Sequence, residues 1–475
     1  MTKLDVCERV CAVVVLLIAT GIGSPAQTYT VLFDFDFTGS DGAQPRASLV
    51  QAFNGNLYGT TYAGGANGYG EVFQMTLGGT LTVLQSFDST DGAAPSAMPV
   101  QAFSGDLYGT TTSGGTHGSG TIFKIAPNGA VTTLYTFCSQ SDCTDGSEPV
   151  APLVQAANGD LYGTTYMGGA DNGGTVFKIT PAGTLTTLYS FCSQSDCTDG
   201  ERPTAGLIQA ANGNLYGTTF RGATGAGSVF EITPGGTLTT LHSFDTADGA
   251  DPTGELTQGN DGNLYGTTES GGAYSSGTVF KITPSGTLTT LYSFCSQSDC
   301  PDGENPSAGL VQATDGNLYG TTTAGGANVF EGTIFKITPQ GTLTTIYSFC
   351  SELNCADGAY PGSAGLVQDT NGALYGTTGG GGASSTGTIF SLSVGLGAFV
   401  ETRPTAGRLG AEIIILGNNL TGSTAVRFHG TAATFTVVSA TEITATVPNG
   451  AATGLVEVTT PSGTLKSNVP FRVIP

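Results

Sequence analysis

The 475-residue chain contains no tryptophan, only three histidines and little charge: Asp, Glu, Lys and Arg make up 11% of it. An ordinary soluble domain carries about 25%, so a surface laced with salt bridges is excluded. Basic residues are the scarcer sign, 14 against 36 acidic, for a net charge of −22. Binding nucleic acid through phosphate contacts needs Lys and Arg and is excluded with them. Helical patterning is missing, since no segment of useful length repeats its apolar residues every 3.6 positions. No G-x-S-x-G, H-E-x-x-H or phosphate-loop motif occurs. His117, His242 and His429 stand on different elements without a partner at motif spacing. Beyond residue 22 no apolar run approaches the roughly twenty residues of a membrane helix.

What is abundant is turn chemistry. Gly (74) and Pro (21) together make a fifth of the chain, yet 39% is hydrophobic, enough to build a core and to argue against wholesale disorder. At the front, Lys3 and Arg9 precede an apolar stretch, Val10–Ile22, followed by Gly23, Ser24, Pro25 and Ala26. A positive start, a short apolar run and small residues form a secretory signal pattern, with cleavage expected after Ala26. The mature protein is therefore expected to be secreted or held at the cell surface, without a transmembrane anchor.

The string L-Y-G-T-T recurs seven times, its tyrosines at Tyr58, Tyr108, Tyr162, Tyr216, Tyr265, Tyr319 and Tyr375, spaced 49 to 56 residues apart. Every unit carries D-G-x-x-P, from Asp41–Pro45 to Asp357–Pro361, and then a glutamine: Gln51, Gln101, Gln155, Gln209, Gln258, Gln312 and Gln368. Each unit reads as four short strands; in the third they are expected at Pro152–Ala156, Asp160–Thr165, Gly174–Thr180 and Thr184–Phe191. Four strands per unit of this length is the arithmetic of a propeller blade. The strand type L-T-T-L-Y-S-F ends at Phe87, Phe137, Phe191, Phe244, Phe294 and Phe349, but the last unit lacks one, and a spare copy, Thr28–Phe35, precedes the first. The expected fold is all-β: a seven-bladed propeller over residues 27–395 whose N-terminal strand completes the final blade and removes the open sheet edges.

The repeat, with D-G-x-x-P, G-N-L-Y-G-T-T, G-G-A, G-T-V-F-K-I-T-P and G-T-L-T-T-L-Y-S-F, resembles the GloVer tandem repeat of bacterial surface and secreted proteins. That resemblance spans roughly residues 28–395 and implies export and repetition; it attaches no activity or catalytic residue. After a linker at 396–401, residues 402–475 contain V-R-F-H-G, T-E-I-T-A-T-V-P-N-G-A and G-L-V-E-V-T-T-P-S-G, short alternating strands between turns. Their spacing resembles an IPT/TIG immunoglobulin-like domain, a β-sandwich expected here to serve as spacer or docking module.

Eight of ten cysteines form C-x-x-x-x-C pairs: Cys138 with Cys143, Cys192 with Cys197, Cys295 with Cys300, and Cys350 with Cys355. In an exported chain these read as four local disulfides stapling an inserted loop. Structural zinc would need four converging ligands, which pairs on separate blades do not supply.

Propeller topology places the D-G-x-x-P and G-G-A loops on one rim, which gathers Asp41, Asp91, Asp145, Asp199, Asp248, Asp302 and Asp357, with second acids three residues before five of them, at Asp88, Asp142, Asp196, Asp245 and Asp299. Asp-x-x-Asp-Gly offers oxygens to calcium, but Asp before Gly is also an ordinary turn residue that bonds its own backbone. The turn reading is preferred, and no cofactor is expected. The glutamines are expected to satisfy backbone groups where blades converge, and the repeat tyrosines to pack between blades. Charged residues that break the seven-fold pattern are Arg46, Arg202, Arg221, Glu255 and Glu269. Glu255, on an inner strand, is the one candidate for acid catalysis of glycoside cleavage. The expected role is a non-catalytic binding or scaffold protein whose acidic loop face meets an extracellular polysaccharide or a surface protein. A polysaccharide-cleaving enzyme and a structural envelope component are the alternatives.

Overall fold

The computed structural model describes residues 27–37, 41–328 and 331–474. The signal pattern and its cleavage site after Ala26 lie outside the described residues. Seven four-stranded antiparallel sheets form the blades of a propeller. Six are built from consecutive strands, as in the third, with Val154–Gln155, Leu161–Thr165, Thr175–Ile179 and Leu185–Ser190. In the seventh, Val367–Gln368, Leu374–Thr378 and Thr388–Ser393 are joined by the N-terminal strand Thr28–Asp34, which pairs Thr28 with Ser393 and Asp34 with Thr388. The ring is closed as the repeat pattern predicts, and the sheets remain separate blades rather than a barrel.

The L-Y-G-T-T strand is buried at all five positions in every blade, because its two faces look into two different inter-blade cores. Tyr162, Val176 and Phe191 of the third blade meet Leu207, Leu215, Phe230 and Ile232 of the fourth. The glycine of the motif is steric in origin. A Cβ on Gly163 would lie 2.6 Å from Phe177 Cζ, and the same crowding recurs at Gly59, Gly109, Gly217, Gly266, Gly320 and Gly376. Each of these phenylalanines meets the terminal phenylalanine of the preceding blade. Phe191 and Phe230 lie 5.2 Å apart, and Phe35 and Phe73, at the seam, 5.7 Å apart. Such aromatic pairs add about 0.5–1.5 kcal/mol each beyond the area they bury.

The inner strands are shorter than the sequence predicts, two residues instead of five. Beyond the ladder, the inner chain gives its carbonyl to the neighbouring blade: Thr164 Oγ1 donates to Ala205 O at 3.2 Å. The same bond recurs around the ring, ending with Thr377 Oγ1 to Ala47 O at 3.1 Å across the seam.

Residues 401–474 form two four-stranded sheets and a short parallel pair around Val400, Ile413, Ile415, Phe428, Ile443, Val458 and Phe471. The first strand, Glu401–Arg403, begins one residue ahead of the boundary expected at 402, and Val400 is already in the sandwich core. The sandwich sits against the glutamine ends of the inner strands. Asn418 Nδ2 donates to Thr370 Oγ1 at 2.7 Å, and Thr441 Oγ1 to Phe53 O at 2.9 Å. Among the described residues, no helix is long and apolar enough to cross a membrane.

Candidate functional site

The seven repeat glutamines form a ring of staples between blades. Gln312 Oε1 accepts the Asn260 N–H of the preceding blade at 2.8 Å, while its Nε2 donates to Gly316 O of its own turn at 2.9 Å. Gln101, Gln155, Gln209, Gln258 and Gln368 accept from the preceding blade in the same way. Gln51 closes the circle by accepting from Thr370 N–H at 3.0 Å. This matches the structural role expected of them. The repeat tyrosines are buried as expected, with Tyr162, Tyr216 and Tyr265 wholly inaccessible.

On the opposite face the D-G-x-x-P loops pair with the G-G loops, as at Ala43–Ala63 and Ser147–Met167. The inner aspartates turn inward. Asp145 Oδ2 accepts from Tyr135 Oη (2.7 Å), Ser139 N (2.9 Å) and Ser139 Oγ (2.8 Å). Asp199 and Asp302 repeat the pattern, and Asp357 does so in the final unit. Burial alone would raise the Asp145 pKa, but these bonds together outweigh it and hold the carboxyl below its ordinary value. Asp91 takes Gln85 Nε2 at 2.6 Å, and Asp248 contacts His242 Nε2 at 2.7 Å. Asp88 and Asp245 cap their own turns, accepting from Thr90 N–H and Ala247 N–H. Asp142, Asp196 and Asp299 occupy left-handed turn positions and are exposed. The inner acids are thus loop fasteners, and two of the outer ones, Asp88 and Asp245, are joined to them through their backbone N–H groups. The four disulfides, Cys138–Cys143, Cys192–Cys197, Cys295–Cys300 and Cys350–Cys355, close the same loops.

The mouth of the central channel lies inside this rim and carries side chains that do break symmetry. The residue after L-Y-G-T-T is Tyr62, Thr112, Tyr166, Phe220, Glu269, Thr323 or Gly379 in the successive blades. In the second and sixth blades it contacts the residue after the D-G-x-x-P proline: Ser96 Oγ lies 2.8 Å from Thr112 Oγ1, and Ser307 Oγ 2.9 Å from Thr323 Oγ1. Arg46 rides over the Tyr62 ring at 4.6 Å, Arg202 over Tyr166 at 5.7 Å, and Arg221 over Phe220 at 4.4 Å. Tyr62, Tyr166 and Phe220 are partly accessible, and Tyr360 is 49% exposed. Asp251 is engaged by Arg221 (3.2 Å) and Ser270 (2.7 Å). Its neighbour Glu269 has a raised pKa, through burial first and the Asp251 charge second. The sequence reading noticed the arginines and Glu269 but missed the aromatics. Aligning the seven units would have exposed them, as a variable position inside an invariant frame.

Below the mouth runs a cavity of about 340 Å³, reaching from Ser96 and Thr253 down to Glu401, Arg403 and Asn468 of the sandwich, which form its floor. Glu255 projects into it. Among the described residues no hydrogen bond or ion pair engages its carboxylate, and burial alone pushes its pKa up to about 7. One further acid escaped the sequence reading. Glu71 is wholly buried in the first blade, where the other six have Thr or Ser. There the hydroxyl pairs with the second threonine of L-Y-G-T-T at 2.7–3.0 Å. In the first blade Thr61 Oγ1, Ser86 Oγ and both Glu71 oxygens lack a hydrogen-bond partner. Burial lifts the Glu71 pKa to about 7, with Ser86 and the Ala66 N–H close enough to offset only part of it.

The Gloeobacter/Verrucomicrobia repeat matches residues 21–144, 138–301 and 296–438. No curated protein matches the chain. Among solved structures, a candidate 6-phosphogluconolactonase of Bacteroides uniformis is similar at 18% identity, over 64% of this chain and 84% of that one, with a TM-score of 0.43. A second candidate 6-phosphogluconolactonase, from Bacteroides fragilis, has 19% identity over 70% and 93%, TM-score 0.42. A puromycin hydrolase has 13% identity over 89% and 58%, TM-score 0.45.

Proposed function

The chain belongs to the Gloeobacter/Verrucomicrobia repeat family, and we propose that it is an exported protein that binds an extracellular polysaccharide on the loop face of its propeller without cleaving it. The observation that carries this reading is the mouth, where Tyr62, Tyr166, Phe220 and Tyr360 present accessible aromatic surface among Arg46, Arg202, Arg221 and Asp251. Aromatic faces with polar neighbours suit sugar rings, whose C–H faces stack while their hydroxyls hydrogen-bond. The inner loop acids are spent on the loops themselves, so the ligand contacts move inward from the acidic rim to the mouth. Four local disulfides and the signal pattern support export. The C-terminal sandwich, which we read as an IPT/TIG-type module over 402–475, serves as spacer and channel floor.

The cleaving alternative expected of Glu255 meets no second free carboxylate among the described residues of the cavity, where Glu401 is paired with Arg403. The observation in its favour is instead the neighbouring acids Asp251 and Glu269 at the mouth. A glycosidase needs one free carboxylate beside a protonated one, and Asp251 is held by Arg221 and Ser270. The test is a glycan array probed with the mature protein, alongside an assay for released reducing ends. Saturable binding without product, lost in the Tyr62→Ala/Tyr166→Ala/Phe220→Ala variant, supports the proposal. Binding that survives the triple substitution, or no glycan bound at all, overturns it; product release lost in Glu269→Gln transfers the case to the enzyme.

A further inference from the structure

We propose that the central channel is a second binding site, separate from the aromatic mouth, and that it takes the ammonium group of a small amine against Glu255. The position of Glu255 is set by the repeat: the same place in the other blades is Ser48, Met98, Pro152, Gly206, Gly309 and Gly365. Only the fifth blade puts a charge there. Both flanking blades have glycine, and the space is needed. A Cβ on Gly206 would lie 2.0 Å from Glu255 Oε1, and one on Gly309 would lie 2.9 Å from the Glu255 carbonyl and 3.3 Å from its Cβ. The side chain therefore leans over the fourth blade into room that any other residue would fill. The next ladder position departs from the pattern as well: Thr257 replaces the usual Val or Ile and donates its hydroxyl to Leu310 O. That bond pins the strand Thr257–Gln258, which follows the glutamate directly after Leu256.

The surroundings decide which ligand suits. Met98 and Pro152 line the wall beside the neutral hydroxyls of Ser48, Ser96, Thr253 and Ser307, so among the described residues an ionised Glu255 has no cation on that wall and is open to a partner of opposite charge. The floor does not provide one. Arg403 is committed to Glu401, through Nε at 3.0 Å and a second nitrogen at 3.3 Å, and its guanidinium lies over Phe53. A divalent metal would want six or more oxygens, whereas one carboxylate offers two. An ammonium group is satisfied by a carboxylate and nearby carbonyls, and the cavity admits a molecule of monosaccharide size. Since burial favours the neutral acid, amine binding requires deprotonation of Glu255 and strengthens as pH rises through about 7. Glu401 and Arg403, paired on the floor, are the other titratable groups that face this cavity.

The experiment is calorimetric titration of the mature protein with n-butylammonium and with glucosamine, with N-acetylglucosamine as the neutral control. Saturable one-to-one binding of either amine is expected at pH 8, weakening about tenfold per pH unit below 7, with no binding of the control. Glu255→Gln should abolish it, while the triple mouth variant retains it, so the two sites fail separately. Should Glu255→Gln not fold, carboxyl ¹³C NMR of the Glu71→Thr protein, which removes the other glutamate raised to about 7, gives the same answer: the glutamate titrating near pH 7 moves to lower pH when amine is added. Amine binding that persists in Glu255→Gln, binding of the neutral sugar alone, a carboxyl titration indifferent to amine, or no binding of either amine at pH 8 overturns the proposal.

Discussion

Replacing Glu71 by threonine should make the protein more stable, and more so at high pH than at low. The substitution gives the first blade the residue type found at this place in the other six, where the hydroxyl sits 2.7–3.0 Å from the partner threonine. Restoring that bond to Thr61 contributes about 1 kcal/mol at any pH. The second contribution is electrostatic. Glu71 has a folded pKa of about 7 against an ordinary 4.5, so the folded state holds its proton more tightly than the unfolded chain. Its penalty is absent below pH 4.5, grows between 4.5 and 7, and is complete above 7. The full difference is worth at most ~3.4 kcal/mol, and relaxation of the polar groups around the carboxylate reduces it to about 2. Glu71→Thr is therefore expected to gain about 1 kcal/mol at pH 5 and about 3 kcal/mol at pH 8. For a chain of this length each kcal/mol raises Tm by about 1–2 °C. Thermal melts of both proteins at the two pH values read the effect directly. Glu255, and Asp369, whose burial lifts its pKa to about 6, titrate in both proteins and cancel in the difference. A gain equal at both pH values, or a lower Tm at pH 8, would refute the argument that a buried, unpartnered carboxylate occupies this place.

Gln312→Ala removes an acceptor from the Asn260 N–H and a donor from Gly316 O; the orphaned groups should cost about 1–3 kcal/mol in chemical denaturation, with faster hydrogen exchange at Asn260. Unchanged exchange there would mean that the ring of amides is decorative. Reducing the four disulfides should lower Tm, each six-residue ring contributing about 2 kcal/mol on the chain-entropy model. An unaltered melt would leave Asp145, Asp199, Asp302 and Asp357 as the fasteners that matter.

The architecture was legible because it is written seven times. A strand count, a spare N-terminal strand and a last unit short of one strand suffice to place the seam, and C-x-x-x-x-C spacing suffices for the staples. What escaped is what repetition conceals. Glu71 looks like one more polar residue in a strand until its partners in the other blades are known to be paired hydroxyls. Tyr62 and Tyr166 hide behind the conserved tyrosines four residues earlier, and only the third dimension shows that one set is buried and the other faces the mouth. Asp145 and its equivalents are legible as turn residues on an acidic face, but a sequence does not say what their carboxylates bond; Tyr135 Oη and the Ser139 N–H decide it. The floor of the channel depends on docking between two units with no shared motif, which no spacing rule reports.

Where the array begins also decides which end of the channel is stoppered. Along each blade the chain descends in the inner strand, climbs in the second, descends in the third and climbs in the outer one. Had the seventh blade kept its own outer strand, the polypeptide would have left the ring upward, beside the loops, and the sandwich would hang over the mouth. Because Thr28–Asp34 fills that slot from the other terminus, the chain departs from the foot of Thr388–Ser393 instead. Val394 and Leu396 pack under the last blades, and Phe399 N–H bonds Thr370 O at 3.0 Å. The borrowed strand thus does more than close a circle: it sends the C-terminal sandwich underneath, away from the entrance on the loop face.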